Sequence, residues 1–388
     1  MITQVINLSS ADVFKHFSKK YGISGTHYSF GLYGLEFRKL RLKDAESVFN
    51  NISANGESVY KYKKSDENVN LLLLGSIRKF KIIFERMPNK SSGFLSIELF
   101  NMINFFENYE LTSYKIGDKL FEFNKAYIMA ILNITPDSFS NGGKYFDRDK
   151  AVNYAFKMID EGADVIDIGG ESSRPGAEGV DTKIEIERVI PVVKKILGEI
   201  PNAIISVDTK KQEVAERALD CGVKIINDIS GGTYNPEIMK TVANYNAAYV
   251  IMHMRGTPED MQTNLSYENV TEEVYDFLYN QVRKAKFAGI NQIFVDPGIG
   301  FGKRNEDNFT LINRLDDFKS LSYPIMVGVS RKSFIRNSLN LPVEATDVPT
   351  SMMESLSLSK GARIIRTHNV RYALTLKELF NITNNSTV

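Results

Sequence analysis

The chain has 388 residues, of which 43% are hydrophobic and 24% charged, the composition of a globular protein with a large core. Its formal net charge of +1 gives no reason to expect a nucleic acid or another polyanion as a partner. The single cysteine excludes an internal disulfide, and no segment resembles a signal peptide or a membrane span of roughly 20 apolar residues, so we expect a cytoplasmic protein without a membrane partner.

Residues 1–112 predict a small α/β module of mixed helices and strands. The module has no phosphate loop, no metal-ligand spacing and no cluster of catalytic residue types, so we expect a structural or oligomerisation role. Residues 113–388 form the second expected domain. Its first segment, SYKIGDKLFEF, predicts a hairpin that turns at Gly117 and Asp118, and we expect its apolar side chains to cap one mouth of the structure that follows.

From residue 127 onward, short apolar runs alternate with stretches of helical, amphipathic spacing. Near-continuous Val and Ile content is typical of parallel strands covered on both faces. The runs are YIMAILN (127–133), DVIDIGG (164–170), AIISVDT (203–209), VKIINDI (223–229), AAYVIMH (247–253), QIFVDPG (292–298), IMVGVSR (325–331) and ARIIRTH (362–368). Eight such units within about 260 residues predict a closed (β/α)₈ TIM barrel, preceded by the smaller N-terminal α/β module.

Polar residues stand at the ends of almost all of these predicted strands. They are Asn133; Glu171, Ser173 and Arg174; Asp208; Asn227; His253 and Arg255; Asp296; Ser330, Arg331 and Lys332; and Arg366 and His368. In this architecture the carboxyl ends of the strands carry the active site, so we expect these side chains to converge on one pocket. Two simpler interpretations stay open: Asp208 and Asn227 cap the following helices, and His253 is a half-buried histidine with satisfied hydrogen bonds.

Three of these residues suit a polar heterocycle. Asp208, Asn227 and Asp296 supply two carboxylates and an amide at the ends of three different strands. Buried carboxylates need N–H donors, which an aminopyrimidinone ring has. We expect Lys332 to donate to the ring carbonyl and the planar guanidinium of Arg366 to stack on the ring.

An anion site is predicted beside the heterocycle. Arg366 and His368 end the eighth strand and Asn369 caps the next helix, so free N–H groups and the helix dipole favour phosphate there. Asn133 offers a neutral oxygen to a Mg²⁺ ion held mainly by phosphates, since Mg²⁺ takes few protein ligands. The stretches GGESSRPG and DPGIGFGK match no nucleotide-binding motif, and we interpret them as loops whose backbone approaches a ligand.

At these residues the chain resembles the dihydropteroate synthase family, over about residues 115–380. The motifs that carry the resemblance are, in the family's order, ILNITPDSFSNGG, GADVIDIGGESSRPGA, SVDTKKQEVAERAL, IINDISGG, MHMRGTPEDMQ, VDPGIGFGK, GVSRKSFI and RIIRTHNV. Ser173 replaces the family's usual Thr and Asn369 its usual Asp, which keeps a hydroxyl and a helix cap. The N-terminal module lacks the motifs of the pterin pyrophosphokinase fused to some members and is similar to an extension of some bacterial synthases.

The resemblance implies that the chain joins 6-hydroxymethyl-7,8-dihydropterin diphosphate to p-aminobenzoate and releases diphosphate, in folate biosynthesis. It implies that Asp208, Asn227, Asp296 and Lys332 bind the pterin. Arg366 is implied to stack on the pterin and, with Asn133 and His368, to hold the diphosphate and its Mg²⁺. The residues implied for the p-aminobenzoate pocket, which sulfonamides also enter, are Phe139, Ser173, Arg174, Pro175, Phe301 and Ser330. Since members commonly pair through barrel helices, we expect a homodimer.

Two other functions fit parts of the pattern. A corrinoid-linked pterin methyltransferase resembles this family in its barrel and pterin pocket, but it needs neither the SRKS nor the RTH features. A catalytically idle pterin-binding protein is the second alternative, and the presence of Asn133, Lys332, Arg366 and His368 argues against it. Release of diphosphate that depends on an arylamine distinguishes a synthase from both.

Overall fold

The structure is a computed structural model that describes residues 1–25, 28–53, 59–63, 68–86, 89–135, 147–174, 176–263 and 265–385. It divides into two compact units: Met1–Tyr109 with Asp316–Tyr323, and Glu110–Leu315 with Pro324–Val388. Within the described ranges, no helix has both the length and the hydrophobicity needed to cross a membrane.

The first unit is built on a four-stranded antiparallel sheet with strand order β1-β2-β4-β3. Its elements are β1 (Ile2–Asn7), α1 (Ala11–Tyr21), β2 (Tyr33–Arg41), α2 (Leu42–Ser53), β3 (Val59–Lys63), β4 (Asn68–Gly75), α3 (Ile77–Arg86) and α4 (Asn89–Glu107). Successive side chains of a strand point to opposite faces. Apolar residues on one face pack against α2, α3 and α4, and those on the other face pack against α1, so helices cover both faces of the sheet.

Charged groups inside this unit are paired. Glu36 is fully buried and accepts hydrogen bonds from Lys20 at 2.8 Å, from the Tyr21 hydroxyl at 2.7 Å and from Arg38 at 2.5 Å. Burial favours the neutral acid, but the charges of Arg38 and Lys20 outweigh it and lower the pKa of Glu36 to about 2. The cluster is satisfied by its own members, as expected for a structural network.

The second unit contains a closed barrel of eight parallel strands, with consecutive strands adjacent, which confirms the predicted fold. The barrel strands are β7 (Tyr127–Asn133), β8 (Val165–Gly169), β9 (Ile205–Asp208), β10 (Ile225–Asp228), β11 (Ala248–Met252), β12 (Ile293–Asp296), β13 (Ile325–Val327) and β14 (Ala362–Thr367). The helices are α5 (Arg148–Asp160), α6 (Thr182–Glu199), α7 (Gln212–Asp220), α8 (Glu237–Asn244), α9 (Val270–Phe287), α10 (Asn305–Asn313), α11 (Ser333–Leu339), α12 (Asp347–Ser359) and α13 (Val370–Asn385).

The predicted hairpin precedes the barrel and closes its N-terminal mouth. It consists of β5 (Ser113–Ile116) and β6 (Lys119–Glu122), joined by the expected turn. Buried Phe121 and Phe123 pack in one cluster with side chains from seven barrel strands, including Met129 and Phe294, and with Ile204, which immediately precedes β9. Because apolar side chains fill this end, the opposite, carboxyl-terminal end is left for polar residues.

Strand register brings three predicted site residues to the same level at that end. Asn133 pairs with Gly169, Gly169 with Asp208, and Asp208 with Asn227. A Cβ at Gly169 would lie 3.4 Å from Asn133 Oδ1 and 3.7 Å from Asp208 Cβ. The absence of a side chain at Gly169 therefore keeps space open between Asn133 and Asp208.

Candidate active site

The centre of the site is a buried cluster around Arg366. Its Nε donates to Asp167 Oδ2 at 2.7 Å, and a terminal amino group donates to Asp208 Oδ2 at 2.6 Å. Asn227 Nδ2 donates to the same Asp167 oxygen at 3.0 Å. A guanidinium has five N–H donors, so donors beyond these two bonds remain for an anion. Four side chains from four strands thus meet at one point.

Two oxygens of this cluster are buried and have no hydrogen-bond partner, namely Asp167 Oδ1 and Asn227 Oδ1. Buried acceptors without donors are costly, and their presence together indicates a place where a ligand supplies N–H groups. Burial raises the pKa of Asp208 to about 7, against the opposing charge of Arg366 and with support from the nearby Asp167 carboxylate. The site is therefore rich in acceptors and short of donors.

Asp296 and Lys332 form the next part of the site. Asp296 is buried and accepts the backbone N–H of Gly298 at 2.7 Å, and burial raises its pKa although Lys332 opposes this. Burial likewise lowers the pKa of Lys332 to about 7, against the attraction of Asp296. The Lys332 ammonium donates to the carbonyl of Ile299 and lies 4.4 Å from the ring centroid of Phe301. Phe301 is buried beside Lys332.

Ser330 and His368 meet at the ends of the last two barrel strands. Ser330 Oγ accepts the backbone N–H of His368 at 3.2 Å and lies 3.0 Å from His368 Nδ1. Burial, with the charges of Arg366 and Arg331, lowers the pKa of His368 to about 3, so the ring is neutral. In the neutral tautomer that carries its proton on Nε2, Nδ1 accepts from Ser330 and Nε2 is a hydrogen-bond donor.

The helix after this strand begins as the sequence predicts. Asn369 Oδ1 accepts the backbone N–H of Tyr372 at 3.3 Å, which is an N-cap bond at the start of α13. The Asn369 amide also donates to Asp347 at 2.9 Å, and Arg331 pairs with the same carboxylate at 2.8 Å. Arg331 is therefore held beside the cap, although the sequence gives no sign of its partner.

Asn133 lies half-buried at the end of β7. In the described part of the chain, no three His, Cys, Asp or Glu side chains are grouped to hold a metal. A dedicated protein cage is thus not formed there, but one amide oxygen facing the open space at Gly169 fits an ion that phosphates hold. The residues present are compatible with Mg²⁺ bound in this way.

The predicted loop residues are placed in part. The structure positions Ser173 half-buried and Arg174 exposed in the loop after β8. Ser173 lines a small cavity together with Asp208. Phe139 and Pro175 lie outside the described residues.

Two strand-end residues do not join the site, contrary to our expectation. His253 Nδ1 lies 2.9 Å from Lys303 Nζ, and its ring packs edge-on against Phe277 at 5.0 Å. Arg255 pairs with Glu273 at 2.5 Å and lies over a tyrosine ring. The simpler interpretation of His253 as a satisfied buried histidine is correct. The helix-cap interpretation of Asp208 and Asn227 is wrong, since both side chains bond inside the cluster.

The packing of the protein itself requires glycines after β12. A Cβ at Gly298, which has a φ of +69°, would lie 1.8 Å from the carbonyl oxygen of His253. A Cβ at Gly302, with a φ of +62°, would lie 2.6 Å from the carbonyl oxygen of Arg255. At Gly298 and Gly302 the backbone thus approaches the neighbouring loop after β11. The positive φ angles add a second reason for glycine.

Asp167 is the functional candidate that the sequence prediction missed. It lies in the middle of β8, fully buried, and links Arg366 to Asn227. The available signal was a carboxylate inside an otherwise apolar strand, because a buried charge needs a partner. The run DVIDIGG predicts a strand, and Asp167 inside it is not among the predicted site residues.

Comparison with known proteins identifies the family. The model of the pterin binding enzyme family matches residues 129–368. A dihydropteroate synthase of Synechocystis is 43% identical over 259 residues, which cover 66% of this chain and 89% of that protein. The Yersinia pestis dihydropteroate synthase, solved with a sulfonamide drug complex, has a TM-score of 0.67 and 32% identity, covering 71% of this chain and 100% of that one. The Xanthomonas albilineans synthase with 4-aminobenzoic acid has a TM-score of 0.66 and 32% identity over 71% and 99% of the two chains. The chain therefore belongs to the pterin-binding enzymes and, among them, to the dihydropteroate synthase family.

Proposed function

We propose that the chain condenses 6-hydroxymethyl-7,8-dihydropterin diphosphate with p-aminobenzoate to give 7,8-dihydropteroate and diphosphate. The observation that carries this proposal is the pair of unpartnered buried oxygens, Asp167 Oδ1 and Asn227 Oδ1, beside the guanidinium of Arg366. It places acceptors that suit a heterocycle beside a cation that suits a phosphate, at one end of the barrel. Membership of the dihydropteroate synthase family supports the same reaction.

The pterin is bound by the acceptor-rich side of the site. Its amino and ring N–H groups pair with Asp208, Asn227 and Asp296. Asn227 Oδ1 is buried without a partner, and burial raises the pKa of Asp208 and of Asp296. Lys332 donates to the ring carbonyl, and Arg366 stacks on the ring face. A ring that becomes positively charged during the reaction is stabilised by the same carboxylates.

The diphosphate is bound at the other side. Arg366, the Nε2–H of His368 and the N-terminus of α13 provide donors for its oxygens. Asn133 would hold a Mg²⁺ ion together with the phosphates, and the bound ion neutralises charge on the leaving group. Arg366 therefore contacts both parts of the substrate.

The reaction is a substitution at the exocyclic methylene carbon of the pterin. The bond between this carbon and the bridging oxygen breaks first, and the electron pair leaves with the diphosphate, whose charge Arg366 and His368 stabilise. The neutral amine of p-aminobenzoate then forms the C–N bond and releases a proton to solvent. The arylamine is held by Ser330, Phe301 and the loop with Ser173 and Arg174, and Phe139 and Pro175 complete its pocket. No covalent enzyme intermediate and no dedicated general base are required.

The protein is further proposed to be a cytoplasmic homodimer. The presence of a single cysteine in 388 residues supports a reducing compartment. Val348, Met352 and Leu356 are spaced four residues apart on α12 and are 48%, 65% and 42% exposed. Side chains at this spacing share one helix face, and an exposed apolar stripe of this kind is typical of an interface.

A diphosphate-release assay tests the proposed reaction. The full chain is supplied with dihydropterin diphosphate and Mg²⁺, with and without p-aminobenzoate. We expect release and dihydropteroate formation to depend on the arylamine. Binding of the pterin without any release would identify an idle pterin-binding protein, and methyl transfer without release would identify a methyltransferase.

A further inference from the structure

Lys211 lies at the base of the loop that follows β8, outside the site described above. Its side chain is only 8% exposed, although it carries a charge. Its ammonium donates to Glu171 Oε2 at 2.6 Å, to the carbonyl of Val180 at 2.5 Å and to Glu185 Oε2 at 2.6 Å. An ammonium has three N–H donors, so these three bonds use all of them.

The three acceptors lie on both sides of one loop. Glu171 stands at its beginning and Val180 at its end, and Glu171 Oε2 also accepts the backbone N–H of Val180 at 3.1 Å. Glu185 belongs to the first turn of α6, which follows the loop. Lys211 itself is the residue before α7. One side chain on the next β-α unit thus ties both ends of the 171–180 loop to the barrel.

Charge as well as geometry favours this arrangement. Burial opposes ionisation of Glu171, but hydrogen bonds from Lys210 and Lys211 outweigh it and lower the pKa of Glu171. Burial also opposes ionisation of Lys211, yet the bonds to Glu171 and Glu185 raise its pKa. The contact with Glu171 is therefore a charge-assisted hydrogen bond, which is about twice as strong as a neutral one. At Glu185, burial outweighs Lys211 and raises the pKa.

The loop that Lys211 ties borders the pterin pocket. Glu171 and Ser173 line the same cavity as Asp208. Between its ends, the described part of the loop is attached through the backbone N–H of Gly176 to the carbonyl of Pro258 at 2.8 Å and through that of Gly179 to Glu259 Oε1 at 3.2 Å. Lys211 is the side chain that binds both ends at once.

We propose that Lys211 is a positioning residue that holds the 171–180 loop in the conformation that binds the arylamine. The proposal rests on the proposed function, which assigns Ser173 and Arg174 to the arylamine pocket. Lys211 touches neither substrate and acts through the loop. Its loss should therefore affect arylamine binding and leave pterin binding unchanged.

The test compares Lys211→Met with wild type in steady-state turnover, pterin calorimetry and amide hydrogen exchange. We expect the KM for p-aminobenzoate to rise about tenfold, with pterin affinity within about threefold of wild type. Exchange in the peptide that contains 171–183 should accelerate. An equal loss of affinity for both substrates would overturn the proposal. So would an unchanged KM for p-aminobenzoate together with unchanged hydrogen exchange in 171–183.

A matched control and a milder variant complete the experiment. Lys377 pairs with Asp164 at 2.6 Å, at the opposite end of β8, so Lys377→Met should lower stability and leave both substrates unaffected. If Lys211→Met does not fold, Glu171→Gln decides: a threefold rise in the arylamine KM supports the proposal, and an unchanged KM refutes it. Wild type without arylamine-dependent release would refute the proposed function instead, and hydrogen exchange would still report on Lys211.

Discussion

Asp167→Asn is the substitution that tests the architecture of the site most directly. It keeps the volume of the side chain and removes its charge, at a position that contacts Arg366 at 2.7 Å and Asn227 at 3.0 Å. Both contacts are made to Oδ2, so an amide oxygen in that place keeps them without the negative charge. The amide N–H group then replaces Oδ1, the buried acceptor that has no partner in the protein. Arg366 keeps its bond to Asp208, so the cluster is weakened and not abolished.

The expected size of the effect follows from these contacts. A hydrogen bond to a charged group contributes about 1.5–3 kcal/mol and a neutral one about 1 kcal/mol. Because the bond from Arg366 loses its ion-pair character and the acceptor Oδ1 is replaced by a donor, we expect about 2 kcal/mol less transition-state stabilisation. This corresponds to a fall of about 30-fold in kcat/KM. Arg366 is proposed to contact both the pterin and the diphosphate, so both kcat and pterin affinity should fall.

The assay measures diphosphate release at varied dihydropterin diphosphate, together with the free energy of unfolding in urea. Asp164→Asn is the control, because Asp164 immediately precedes β8 and pairs with Lys119 and Lys377 at 2.6 Å. The control variant should lose stability and keep kcat/KM. Unchanged kinetics in Asp167→Asn, or an equal kinetic loss in both variants, would refute the role assigned to Asp167.

Three further outcomes are expected. Burial, with Arg366 opposing, raises the pKa of Asp208 to about 7, so pterin affinity should increase as the pH rises through that value. In Asp208→Asn, calorimetry should show no such increase and an affinity about tenfold lower than that of wild type. Met352→Lys should convert the dimer to a monomer in light scattering with unchanged helix content, and a persistent dimer would contradict the α12 interface. Deletion of residues 1–112 should keep turnover within about threefold of that of the full chain. The melting temperature should fall, because Asp316 and Asp317 lose their 2.9 Å hydrogen bonds from Asn7. A deletion variant that folds but has no turnover would show that the module is needed for catalysis.

The sequence predicted the barrel because its signals are local. The run at 127–133 matches Tyr127–Asn133 in both limits, and the other seven runs each contain the strand observed there. Apolar continuity, helical spacing and the hairpin turn all act over a few residues. The order of the strands then follows from the preference of consecutive β-α units to lie side by side.

Which strand-end residues face the mouth was determined by the tertiary structure alone. Arg366 bonds to Asp167 and Asp208, which lie 199 and 158 positions earlier in the chain. His253 and Arg255, from an equally polar strand end, bond instead to Lys303 and Glu273. A side chain's direction depends on the closure and stagger of the whole barrel and on partners far away in the chain. Residue type and spacing therefore determined the fold and most of the site's composition, and barrel closure decided the pairing.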